Sequence, residues 1–200
     1  DGLGNYDDTD AAHYVTDPLD ASDPWVLSTL CNATRPITAP PALSVDNYDN
    51  CWVYFGTGRY LSTTDKTTAD ANYLFGLKDP FFNKDHTPAG LYGTDYYHNY
   101  STSLELTTAD LFDADPYVVV HGGAAVYLDD DSYYGSFTTL LTAARQENGW
   151  IKNLETAAER ILTKPSILGG VVFTPSFLPN SDVCGYGGQS YLYGQYYETG

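Results

Sequence analysis

Short apolar runs separated by turn residues make up most of this chain. "CWVYFGTG" (51–58) is apolar up to a Gly-x-Gly end and predicts a strand. "NYLFGLKD" (72–79) predicts another. "RPITAPPALSVD" (35–46) alternates small and apolar residues around its prolines, the pattern of an edge strand, and "DNYDN" (46–50) is a turn by composition. "PYVVVHGGAAVYLDDD" (116–131) predicts a hairpin around Gly122-Gly123. "RILTKPSILGGVVFTPSFLP" (160–179) predicts two strands joined at Gly169-Gly170, and "SYLYGQYYETG" (190–200) a last strand ending on a turn. "WVLSTL" (25–30) reads as a short strand or a capped turn. The period changes once. Phe137, Leu140, Leu141 and Ala144 recur at helical spacing, which predicts one short amphipathic helix near 136–147, stopped by Asn148-Gly149. Thr107 three before Asp110 is a capping signature for one helical turn. Residues 1–24 are acidic and loop-like, and 81–103 are irregular and rich in tyrosine.

Two strand words recur. Val53-Tyr54-Phe55 returns as Val171-Val172-Phe173, and Tyr73-Leu74-Phe75-Gly76 as Tyr191-Leu192-Tyr193-Gly194, both 118 positions later. Repeated strand pairs are the behaviour of β-propeller blades, small antiparallel sheets that hide their faces against neighbouring blades. The expected class is therefore all-β: a single domain over 1–200 forming a partial propeller, with about three or four blades at about 40–50 residues each. Methionine is absent, so a processed product or a piece of a longer chain is expected, with the rest of the propeller upstream.

Composition narrows the functional classes. Nine basic against 26 acidic residues give a formal charge of −17, which argues against nucleic acid and anionic lipid and allows cation binding. The 19 tyrosines favour strands and exposed sheet faces. No apolar run is long enough to span a membrane.

The motifs with chemical potential are few. "FGTGRYLSTTD" has a Gly-x-Gly but neither a third glycine opening a helix nor the Gly-Lys-Ser/Thr ending that a phosphate loop needs. Gly56 and Gly58 read as backbone geometry, with Arg59 pairing a carboxylate such as Asp65. His13, His86, His98 and His121 have no partner at helical spacing, and Ser190 in "GGQSY" lacks the nucleophile-elbow pattern. No catalytic residue and no cofactor site is assigned. Asp129, Asp130 and Asp131 are the metal candidates, with oxygen ligands suited to Ca²⁺, although such runs more often form solvated turns. Cys31 and Cys51 are candidates for a disulfide in an oxidising compartment, Cys184 being left over; three buried thiols are the alternative. Glu159 and Arg160 are read as a structural ion pair at a blade boundary, each needing further partners if buried.

The stretch from Arg35 to Phe82 resembles the C-terminal β-propeller of the PilY-type adhesin and biogenesis proteins of the type IV pilus tip. It carries a strand ending Gly-Thr-Gly-Arg-Tyr-Leu, an acidic loop and a strand of the Phe-Gly-x-x-Asp type. Residues 148–200 resemble the same family through Gly149, Trp150, Glu159, Arg160, Gly169, Gly170, Val172, Phe173, Cys184, Gly187, Gly188, Ser190, Leu192, Tyr193, Thr199 and Gly200. The resemblance implies a non-enzymatic adhesion and pilus-assembly module, exported through the periplasm to the bacterial surface. Its implied partners are minor pilins and a host or abiotic surface ligand. Some members bind calcium through an Asp-rich loop; "DGLGNYDDTD", "DNYDN" and "LDDDS" lack its spacing. Two alternatives come from other classes. One is a quinoprotein-type propeller enzyme, whose blade ending "YLYGQYYETG" resembles. The other is a structural surface or filament-coat protein.

Overall fold

A computed structural model describes residues 29–48, 50–80, 105–119, 125–127, 136–180, 182 and 187–200. The chain divides into two compact units, one of Asp1–Asn32, Val45–Cys51 and Asp79–Leu106, the other of Ala33–Ser44, Trp52–Lys78 and Thr107–Gly200. The strands are β1 (Ala42–Val45), β2 (Cys51–Gly56), β3 (Tyr73–Lys78), β4 (Phe112–Asp113), β5 (Tyr117–Val119), β6 (Ala125–Tyr127), β7 (Gly149–Asn153), β8 (Ser166–Leu168), β9 (Val171–Pro179) and β10 (Gly188–Tyr196). One helix, α1, runs from Phe137 to Ala144, and 3-10 turns cover Thr63–Lys66 and Thr108–Asp110. The described residues are mostly β with one short helix, in the class expected.

The strands form open sheets. Among the described strands, one sheet has the order β1-β2-β3-β7-β4, a second β10-β9-β8, and a third is the pair β5-β6. β1, in the proline-rich segment, lies at the edge of its sheet, where a missing N–H breaks no ladder. The strands β5 and β6 pair antiparallel, Tyr117 opposite Tyr127, while the Gly122-Gly123 turn between them lies outside the described residues. The Gly169-Gly170 junction joins β8 to β9 antiparallel.

Two elements went unforeseen. β7 begins at Gly149, directly after the predicted helix stop, and pairs antiparallel with β3. The two-residue β4 pairs parallel with β7, Phe112 opposite Trp150. Both are too short to show a period, and pairing with the central sheet makes them strands.

The core of the second unit collects Trp52, Tyr54, Leu74, Phe112, Leu140, Ala144, Trp150, Leu154, Ile161 and Val172. Trp52 and Tyr54, two apart on β2, point to this core together, as strand alternation requires, and their rings stack at 6.0 Å. Phe55 and Phe75 stack at 4.9 Å on the opposite face, so β2 and β3 are buried on both sides. α1 turns Leu140 and Ala144 inward, with Ser136 accepting a capping hydrogen bond from the Thr139 N–H.

The repeated words both lie on antiparallel strand pairs, but their registers differ. Tyr54 faces Gly76 in β2–β3. Val172, its counterpart by offset, faces Gln195 rather than Gly194. A slip of one residue turns side chains to the other face. Leu74 is accordingly 1% exposed and Leu192, its counterpart, 67%.

Candidate functional site

Six of the motif residues singled out in the sequence, Gly56, Gly58, Arg59, Asp65, Glu159 and Arg160, meet at one place. Where β2 ends, Thr57 is fully buried and closes a small hydrogen-bonded node. Its N–H donates to the Tyr73 carbonyl at 2.9 Å, its hydroxyl accepts from the Tyr73 N–H at 2.9 Å and donates to Asn72 Oδ1 at 3.2 Å. Asn72 Nδ2 donates to the Glu159 carbonyl at 2.8 Å, and the Ile161 N–H donates to the Thr57 carbonyl at 2.9 Å. Segments about a hundred residues apart in the chain are thus stitched by main-chain and amide groups.

The glycines on either side of Thr57 make the approach possible. A Cβ on Gly56 would land in the Ile161 side chain. A Cβ on Gly58 would land on that of Arg160, and Gly58 holds φ +135, a conformation that side chains disfavour. Gly-Thr-Gly therefore serves close backbone packing rather than anion binding. Gly149 and Trp150 belong to the same scheme: the indole lies where a Cβ on Gly76 would be, and Trp150 Nε1 donates to the Tyr197 carbonyl at 3.0 Å.

Arg160 is buried, and its guanidinium works as a main-chain clamp. It donates to the carbonyls of Ala158 (2.9 Å), Arg59 (2.8 Å), Asp65 (2.7 Å) and Thr68 (3.2 Å). Burial pulls its pKa down, opposed by the charges of Asp65, Tyr60 and Asp70. Asp65 organises the loop below. It accepts from the Leu61 N–H (2.9 Å), from Arg59 Nε (2.9 Å), and from the Ser62 N–H and hydroxyl. These donors, the Leu61 N–H foremost, hold its carboxyl far below the usual carboxylate range against the opposing effect of burial.

Glu159 and Arg160 do not form the ion pair expected of them. Adjacent residues on an extended backbone point to opposite sides. The Glu159 carboxylate accepts instead from the Ser176 hydroxyl, from the Tyr193 hydroxyl at 3.1 Å and from the Thr156 N–H at 3.3 Å. Tyr193 is pushed up to about 12, first by burial and further by the neighbouring Glu159 and Glu155 carboxylates, against a lowering hydrogen bond from the Glu155 N–H. A second buried acid, Glu198, takes a two-pronged ion pair from Arg145 at the end of α1, at 2.6 and 2.9 Å. Sequence reasoning did not assign Thr57, Asn72, Ser176 or Tyr193 to this network, nor Glu198 to its pair with Arg145. The adjacency of Asn72 to a repeated strand word, and of Glu198 to the last one, were the available signals.

The remaining candidates lie elsewhere. Gly187, at φ +101, precedes β10, and Gly188 opens it against the Phe177 ring. Cys31 bridges Leu106, and Cys51 opens β2 with its carbonyl accepting from the Asp79 N–H at 2.8 Å. The Cys51 thiol is unbonded, so the Cys31–Cys51 disulfide is not formed in this structure; separate main-chain partners hold the two residues. Burial, then the charge of Asp79, raises the Cys51 pKa. Asp129, Asp130, Asp131, Cys184, the four histidines, the acidic 1–24 segment and the tyrosine-rich 91–100 loop lie outside the described residues. Among the described residues no group of three or more His, Cys, Asp or Glu is placed to hold a metal ion, and no helix is long and apolar enough to cross a membrane.

No family model and no curated protein matches the sequence. Among solved structures the chain is similar to the crystal structure of the Pseudomonas aeruginosa PilY1 C-terminal domain. Identity is 18% and the TM-score 0.49, over 83% of this chain and 32% of that one. The chain thus spans about a third of that chain's length.

Proposed function

We propose that this chain is a non-enzymatic adhesion and assembly module of a type IV pilus tip, built as part of a β-propeller and carried on the bacterial surface. One observation carries the reading. Six of the motif residues behind the sequence resemblance, Gly56, Gly58, Arg59, Asp65, Glu159 and Arg160, come together around one largely buried network with Arg59 at its exposed edge, although the two groups lie about a hundred positions apart in the chain. A motif whose distant parts meet in one framework acts as a fold determinant rather than as a scattering of short words. The polar groups of this network are directed at each other and at main-chain carbonyls, the arrangement of a scaffold rather than of a reaction site. Binding then falls to the surface that the scaffold displays, with minor pilins and a host or abiotic ligand as partners. Calcium at Asp129, Asp130 and Asp131 is the weakest part of this reading.

The test is cross-linking mass spectrometry on sheared surface filaments, with this chain quantified against the major pilin. Sparse copies linked to minor pilins are the expected result. Near-stoichiometric copies along the filament would sink the tip assignment in favour of a coat protein. A tightly bound quinone absorbance in the purified chain would move it to the enzyme class.

A further inference from the structure

Among the described strands β10 is the outer one of its sheet, paired with β9 along one edge. The Tyr197 N–H donates to the Gly170 carbonyl on the β9 side. In an antiparallel ladder the direction alternates, so Gln195, Tyr193, Tyr191 and Gln189 face β9, and Ser190, Leu192 and Gly194 turn their N–H and C=O groups outward. Among the described residues no hydrogen bond reaches those outward groups. The edge is long, covering Gly188–Tyr196, and carries no charge, no proline and no bulge. Natural edge strands are usually blunted by one of these devices.

The sequence of this edge is nearly self-complementary. Around Leu192, Tyr191 mirrors Tyr193, Ser190 mirrors Gly194, and Gln189 mirrors Gln195. We propose that two copies of this chain associate by antiparallel pairing of β10 with β10 about a two-fold axis at Leu192. The outward groups of Leu192 then pair across the axis, and those of Ser190 pair with those of Gly194 in the other copy. The small Ser190 and Gly194 leave room beside the two leucines. The tyrosines and glutamines meet like residues on the opposite face. The exposed Leu192 side chain, 67% accessible in one copy, gains a partner, with Pro175 of the adjacent strand beside it. Pairing uses the same edge in both copies, so it closes at two rather than growing into a fibre. An uncharged edge is what a chain with a formal charge of −17 needs for self-contact, because the remaining repulsion is long-range and screened by salt.

The experiment is sedimentation equilibrium of the full chain at low and high ionic strength. A monomer–dimer equilibrium that tightens with salt is expected. Leu192→Lys sets two like charges opposite each other at the axis and is expected to weaken the dimer by about tenfold or more. Leu192→Pro removes the outward N–H while leaving the β9 ladder intact, with the same expected direction. Leu168→Lys, on the far strand and 75% exposed, is expected to leave dimerisation unchanged. Leu192→Cys places two thiols at the axis, about 5.5 Å apart between Cα atoms, and a short bifunctional thiol reagent is expected to link them beyond the links that the native cysteines give. A chain that stays monomeric at both ionic strengths overturns the proposal. So does a dimer unaffected by both Leu192→Lys and Leu192→Pro, or one in which Leu168→Cys links as well as Leu192→Cys. This outcome is independent of the filament cross-linking above.

Discussion

β2–β3 and β9–β10 are the two places where the chain writes nearly the same words, and they end in different surroundings. β2–β3 is covered on both faces, by Trp52, Tyr54 and Leu74 on one side and by Phe55, Phe75 and Leu77 on the other. β9–β10 turns Val172, Thr174 and Ser176 inward and leaves Leu192 in the open. The register differs by one residue, and with it the face that each repeated side chain sees. A repeated word thus sets the local conformation, a strand, and not the environment. Neighbours decide the latter: β3 has β7 beyond it, and among the described residues no strand lies beyond β10.

The comparison is sharpest at the leucines. Leu74→Ala empties a fully buried site and should cost about 2–5 kcal/mol, read as a fall in the midpoint of urea unfolding. At concentrations where the chain is monomeric, Leu192→Ala should stay within about 0.5 kcal/mol of the native chain. Equal costs at both positions under those conditions would show that Leu192 is covered within a single copy. The glycines give the next effect. Gly76→Ala drives a methyl into the Trp150 indole and should cost about 1–3 kcal/mol. At Gly194 the nearest atom is Val171 Cγ1 at 3.6 Å, an ordinary contact, and Gly194→Ala should be close to neutral in a thermal melt.

Two smaller effects follow pH. Tyr193 titrates near 12 in the folded chain against about 10 when unfolded. A raised folded pKa means that its contribution is whole below about pH 10 and is lost as the pH climbs toward 12. Tyr193→Phe should remove that alkaline step from a stability–pH curve. Asp65 in the β2–β3 loop has the opposite sign. Its depressed pKa gives stability that is present above about pH 3.9 and is lost as the pH falls below that value. Asp65→Asn should flatten the acid limb while leaving the alkaline one in place. The two substitutions together therefore assign each limb of the curve to one strand pair.

Much of the framework is legible in the chain itself. Apolar runs place β2, β3, β8, β9 and β10, the helical spacing of Phe137 to Ala144 places α1, and Thr107 with Asp110 marks a 3-10 turn. These follow from local rules, alternation, periodicity and capping, that need no knowledge of neighbours. The spacing of Gly56, Thr57 and Gly58 likewise marks a place of special backbone geometry, read there as a bend or bulge. What approaches was not legible, because Ile161 and Arg160 arrive from about a hundred residues away. The partners of Glu159 were hidden for the same reason: Ser176 and Tyr193 are brought to it by the pairing of β9 with β10. β7 and β4 became strands only because β3 offered β7 an edge to join. Local sequence thus determined most of the strands, the 3-10 turn and the helix, but not β4 and β7. Tertiary structure decided register, burial and the pairing of buried polar groups, because these depend on contacts between segments far apart in the chain.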